Sequence, residues 1–193
     1  LTGRLGLHTT GAVFANAQNK HAAPGICTMS GDSLLRLYRC TGKTAYLELL
    51  RDISHAIPQF VSLAGRRLMT WDGVFLPEGF INERVQLSDW EGRETIGEVR
   101  SGSCWPEVSM LLTYAEVPGI YADRHSGLVM ALDHVDCTAQ WRLDGSLALD
   151  IHNPTRFDAE VRILVDGDPA DEAHRVRRVA PVSAGETVTV TIA

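Results

Sequence analysis

The spacing of apolar residues changes once along this chain, near residue 120, and that change constrains the fold more than any other feature. Up to about residue 120 the apolar positions recur at helical intervals between long connections. From residue 128 onward they alternate or are β-branched, and turn dipeptides separate the runs. A helical pattern and an alternating pattern bury different faces and do not share one regular element. The expectation is therefore an α+β chain, with a helical domain over 1–122 and a small antiparallel β-sandwich over 123–193.

The strongest helical signal is SGDSLLRLYRCTGKTAYLELLRDISHAIPQFVS, residues 30–62. Ser30 or Asp32 can cap a first helix, and Leu34, Leu35, Leu37 and Tyr38 form its apolar stripe. Gly42 supplies a residue free to take the left-handed conformation that ends helices. A second stripe runs from Tyr46 to Phe60, so the two helices form a hairpin. Short helices are also expected over 9–20 and 103–117, with residues 66–103 as a long loop between helices. In the second half, Asp144-Gly145 is a hairpin signal, and Asn153-Pro154, Asp166-Gly167 and Ala184-Gly185 mark further turns.

Composition narrows the function classes. The 193 residues are 45% hydrophobic and 22% charged, values of an ordinary globular chain. A net charge of -6 argues against nucleic acid, which is held by basic patches. No apolar run is long enough to span a bilayer, so no membrane partner is expected. The N-terminus lacks both an initiating Met and the pattern of a signal peptide, so the chain is expected to continue a longer sequence. Cys27, Cys40, Cys104 and Cys137 form no CxxC pair and read as buried reduced thiols, which with the absent signal peptide points to the cytoplasm.

Chemistry concentrates in FINERVQLSDWEGRETIGEVRSGSCW, residues 80–105, which packs acids and aromatics into one stretch. Glycoside hydrolysis needs two carboxylates, one to protonate the leaving oxygen and one to attack or to activate water. Glu83 and Asp89 are the expected pair, with Glu107 as a third candidate. Trp71, Trp90 and Trp105 are flat platforms for sugar rings, and Arg84 and His21 are donors for sugar hydroxyls. The alternative for each acid is a solvated loop position. Asp133, His134 and Asp136 lie close in sequence, but a strand would turn Asp133 and His134 to opposite faces, so no metal is expected. No cofactor motif is present.

The segment SLLRLYRCTGKTAYLELLRDI resembles the hairpins of α/α-toroid carbohydrate-active enzymes, the six-hairpin glycosidases and related polysaccharide lyases. Helical hairpins followed by a β-sandwich are also an order found among those enzymes. A full toroid takes about a dozen helices, whereas the first 120 residues hold roughly four. The resemblance thus implies the C-terminal portion of a larger enzyme, completed by a missing N-terminal part or another subunit. The implied activity is glycoside hydrolysis of a carbohydrate substrate. A polysaccharide lyase using His21, Asn19 and Arg84, and a non-catalytic glycan-binding or assembly module, are the alternatives.

Overall fold

The computed structural model describes residues 10–14, 21–23, 31–68, 74–80, 84–86, 99–100, 114–167 and 176–193. The chain divides into two compact units, one of residues 1–36 and 48–116, the other of residues 37–47 and 117–193.

Sheet, not helix, dominates, which overturns the partial toroid. The described residues include two whole α-helices, α1 (Gly31–Thr41) and α2 (Ala45–Ala56), the expected hairpin, followed by a 3-10 turn at Ile57–Phe60. At the end of α1, Gly42 has φ 67° and its N–H donates to Tyr38 O at 2.7 Å. That single bond to the carbonyl four residues back is how a left-handed glycine closes a helix.

The first unit also holds a four-stranded antiparallel sheet in chain order: β1 (Val13–Phe14), β2 (His21–Ala23), β3 (Arg84–Gln86) and β4 (Val99–Arg100). The helix expected over 9–20 is thus replaced in part by β1, and the loop expected over 66–103 contains β3 and β4. Strands of two or three residues are too short to show alternation. Of the helix expected over 103–117, residues 114–116 are helical and those before lie outside the described residues.

Among the described residues the second unit contains seven strands in two sheets. One has the order β10-β9-β5-β6 and the other β11-β8-β7. The strands are β5 (Ile120–Asp123), β6 (Val129–Ala131), β7 (Asp136–Trp141), β8 (Leu147–His152), β9 (Ala159–Asp166), β10 (Val176–Val182) and β11 (Thr187–Ile192). All pairs are antiparallel except β5 with β9, which run parallel with Ile120 opposite Ile163. A purely antiparallel sandwich is therefore corrected at that pair.

Alternation builds the core between the two sheets. Leu147, Leu149 and Ile151 of β8 meet Ile120 and Ala122 of β5, Val161, Ile163 and Val165 of β9, and Ala180 and Val182 of β10 in one buried cluster. Intervening residues point away: Asp136, Thr138 and Gln140 of β7, Asp150 of β8, and Thr187, Thr189 and Thr191 of β11 are exposed. Gly145, at φ 82°, closes the β7–β8 turn as Asp144-Gly145 promised.

Candidate functional site

Of the eight residues that sequence reasoning assigned to a site, Glu83, Asp89, Glu107, Trp71, Trp90 and Trp105 lie outside the described residues. His21 and Arg84 are placed by their backbones, in β2 and β3. These strands pair antiparallel, with His21 opposite Gln86 and Ala22 opposite Val85. Two candidates more than sixty positions apart in sequence therefore sit on neighbouring strands.

Residues 58–80 of the first unit are joined by several hydrogen bonds. Ser62 is fully buried, and its Oγ donates to Leu76 O at 3.0 Å while accepting from Leu68 N at 3.2 Å. Its backbone N–H donates to Phe80 O, and its carbonyl accepts from Gly79 N, both at 2.8 Å. One serine thus gathers 61–68 and 74–80. The Arg66 guanidinium donates to the carbonyls of Gln59 (2.8 Å), Pro58 (3.2 Å) and Val61 (3.3 Å), capping the 3-10 turn. Burial lowers its pKa from the ordinary arginine value.

The densest polar cluster among the described residues belongs to the second unit, and sequence reasoning did not anticipate it. Tyr38 and Arg39 leave α1 side by side. The Tyr38 hydroxyl donates to Asp123 Oδ2 at 2.7 Å and lies 3.2 Å from Ser126 Oγ. Ser126 Oγ donates to the same carboxylate oxygen at 2.7 Å, and the His125 N–H donates to Asp123 Oδ1 at 2.9 Å. Arg39 Nε sits 2.8 Å from Asp166 Oδ2, which also accepts from the Tyr121 hydroxyl at 2.8 Å. Asp166 is 2% exposed. The Tyr38 and Tyr121 rings meet edge to face, with centroids 5.7 Å apart and planes at 85°.

The electrostatics follow from this geometry. Burial, the hydrogen bond to Asp166 and the nearby negative charges hold the Tyr121 phenol far above its usual range. Burial also raises Tyr38; its contact with Ser126 works the other way, and the Asp123 charge adds to the rise. Burial alone would raise Asp123, but the hydrogen bonds from Ser126, Tyr38 and the backbone outweigh it and lower the carboxyl. Phenols held protonated are poor bases at neutral pH, and both carboxylates are occupied as acceptors. This cluster is built to hold rather than to react. The sequence carried one signal for it, the adjacent Tyr-Arg on the last turn of α1, but its acceptors lie over eighty residues away.

The outer face of the β11-β8-β7 sheet is a polar grid. Asp136, His152 and Thr187 stand in one row, and Thr138, Asp150 and Thr189 in the next. Thr189 Oγ1 donates to Asp150 Oδ1 at 2.6 Å, and His152 Nδ1 lies 3.1 Å from Thr187 Oγ1. Among the described residues no three His, Cys, Asp or Glu side chains converge as a metal-ligand set, and no helix is long and apolar enough to cross a membrane. Cys137 is partly buried, and burial with the nearby Asp150 charge pushes its thiol up to about 11. Cys40 is exposed, against the expectation of a buried thiol.

Comparison with protein-family models, with curated proteins and with solved structures gives no match to this chain.

Proposed function

We propose that this chain is part of a carbohydrate-active enzyme, a glycoside hydrolase working through Glu83 and Asp89. One observation supports the reading: β3, bracketed in sequence by those two acids, is hydrogen-bonded to the strand that carries His21. Glu83 is joined directly to Arg84, and Asp89 follows Gln86 by three residues, within roughly 11 Å of chain reach. In sequence both acids and Trp90 lie within a few residues of β3. In this assignment His21 and Arg84 bind sugar hydroxyls, and Trp90, Trp71 and Trp105 offer stacking surfaces. Glu107 stands as the reserve carboxylate. A carboxyl separation of about 5–5.5 Å would mean retention of configuration, and about 6.5–9.5 Å inversion.

The test is a screen of aryl glycosides and polysaccharides, following reducing-end release and ultraviolet absorbance together. Glu83→Gln and Asp89→Asn should each lower turnover by about 10²–10⁴-fold, the usual worth of a positioned acid or base. Undiminished hydrolysis by the double variant would refute the assignment. An unsaturated, ultraviolet-absorbing product would replace hydrolysis with a lyase reaction.

A second reading rests on a separate observation, the polar grid on the outer face of β11-β8-β7. Its hydroxyls, carboxylates and imidazole suit a polyhydroxylated ligand, so the second unit serves as a glycan-binding or assembly module. Retarded migration of the chain in a glycan-containing native gel, with no turnover in the screen, would favour this reading over hydrolysis.

A further inference from the structure

We propose that the open edge of β11 pairs antiparallel with β11 of a second copy of this chain, and that Arg178 gates the pairing. β11 ends its sheet, and β8 is its one described neighbour. Successive residues of a strand turn their N–H and C=O groups to opposite sides. Asn153 N–H donates to Glu186 O at 3.0 Å and the register continues to Ile192, so Val188, Val190 and Ile192 bond to β8. The β7–β8 ladder agrees. Arg142 N–H donates to Ser146 O at 2.9 Å, which turns the even-numbered residues of β8 to β7 and the odd-numbered ones to β11. Thr187, Thr189 and Thr191 therefore aim their backbone groups at the open edge. Thr191 O shows this directly, accepting from Arg178 Nη1 of β10 at 3.2 Å.

Among the described sheet edges this one is built to pair with itself. β10 carries Pro181, which has no N–H to offer, and exposed Arg177, while β6 is only three residues long. β7 reads DCTAQW, and pairing with its own copy about Ala139 would set Cys137 against Trp141. β11 reads TVTVTI, uncharged and without Pro. Its residues 187–191 read the same in both directions. Antiparallel pairing about Thr189 sets that residue against its own counterpart, Thr187 against Thr191 and Val188 against Val190. A two-fold interface joins the same patch on both copies, so it must be self-complementary in this way. The pairing makes about six N–H···O bonds. Thr meets Thr on the polar face and Val meets Val on the core face, like-for-like pairs that support a sheet. The three threonines are exposed and the two valines only partly buried, so both faces have surface left to cover. The Asp150 carboxylates of the two copies stand three strand spacings apart, about 14 Å, beyond a Debye length of about 8 Å. The two-fold uses up both β11 edges, so this contact stops at a dimer.

Arg178 is the gate because its guanidinium holds the Thr191 carbonyl that the second copy needs. The side chain is exposed, so exchanging this bond for a backbone one costs little. A charged side chain laid over an edge is a common guard against pairing.

Sedimentation equilibrium of the full chain over a concentration series, with residue-resolved amide exchange by NMR, tests this. Arg178→Ala should tighten the dimer about tenfold, since one competing bond is removed from each copy. Thr189→Pro removes the N–H at the two-fold axis from each copy, and should weaken the dimer at least about tenfold while β8 amides keep their protection. With rising concentration the Thr187, Thr189 and Thr191 amides should gain protection, and those of Val188 and Val190 should stay as they were. Should Thr189→Pro fail to fold, Thr187→Lys with Thr191→Lys replaces it, setting like charges opposite one another across the two-fold. A chain that stays monomeric even as Arg178→Ala would overturn the inference. So would a dimer whose new protection lies elsewhere, or one indifferent to the threonine variants.

Discussion

Asn153 is fully buried where β8 ends, and its side chain is hydrogen-bonded at both ends. Nδ2 donates to Phe157 O at 2.7 Å and to Val182 O at 3.1 Å. Oδ1 accepts from Thr155 N at 3.0 Å and from Thr155 Oγ1 at 2.7 Å. One amide therefore ties the end of β8 to the entry of β9 and the end of β10, joining the two sheets. In Asn153→Ala these four bonds vanish. Phe157 O keeps the Thr155 hydroxyl as donor, but Val182 O and Thr155 N lose theirs from Asn153. At about 1 kcal/mol for each neutral bond, with a further penalty for buried groups left unmet, the loss is about 3–5 kcal/mol. Asn153→Asp is the sharper probe. It keeps the acceptor side but points a carboxylate oxygen at two carbonyls. The charged form is disfavoured in the fold, so the new carboxyl has a raised pKa. Its cost is small below the unfolded value of about 3.9 and grows as pH rises through the folded value. The midpoint in urea of protection across 147–152, read by pulsed hydrogen exchange, measures both variants. At pH 7 the Asp variant should be at least as unstable as the Ala variant, and it should overtake Ala as pH falls toward 4. A stable Asp variant at pH 7, or an Asp–Ala difference that ignores pH, would refute the bonding argument.

Two further outcomes follow from described geometry. Gly11 has φ 91°, and a Cβ there would collide with the backbone of Asp52 in α2. Gly11→Ala should therefore cost the first unit about 2–5 kcal/mol, strain and overpacking together, seen as faster exchange across 48–56. The tyrosine–carboxylate cluster should also give the second unit a stability plateau in pH. The raised Tyr38 and Tyr121 pKa values contribute fully below the free phenol value of 10.0, and their contribution is lost as pH rises beyond it. The lowered Asp123 contributes above 3.8, and that contribution is lost as pH falls through its folded pKa. In an alkaline absorbance titration, two phenols should ionise only as the unit unfolds, and Tyr121→Phe should remove one of them.

What could be read from sequence was whatever is local. The α1–α2 hairpin announced itself through apolar spacing and Gly42, and the β7–β8 hairpin through Asp144-Gly145, because each depends on residues a few positions apart. The parallel pairing of β5 with β9 could not be read, since a four-residue strand with three apolar residues does not reveal its partner. Nor could β1 to β4, whose two or three residues fit any periodicity. The toroid expectation failed for a related reason. One real hairpin was extended by analogy into segments that are strands. Asn153 reads in sequence only as half of a turn dipeptide, because its bond to Val182 O comes from a strand end 29 positions away. Tyr38 reads only as part of an apolar stripe for the same reason: Asp123 reaches its hydroxyl only in the folded chain.

The β5–β9 pairing also sets a timetable for synthesis. The β7–β8 hairpin can zip in roughly 1–10 μs once both strands exist. β5 must wait until residues 124–158 have been made and looped out, and β9 after them. At about 5–20 residues per second, that is a delay of roughly 2–9 s. Through that interval Ile120, Tyr121 and Ala122 have only β6 beside them, and the opposite edge of β5 is bare. A nascent-chain chaperone serving this protein would find its client in those seconds, at that edge.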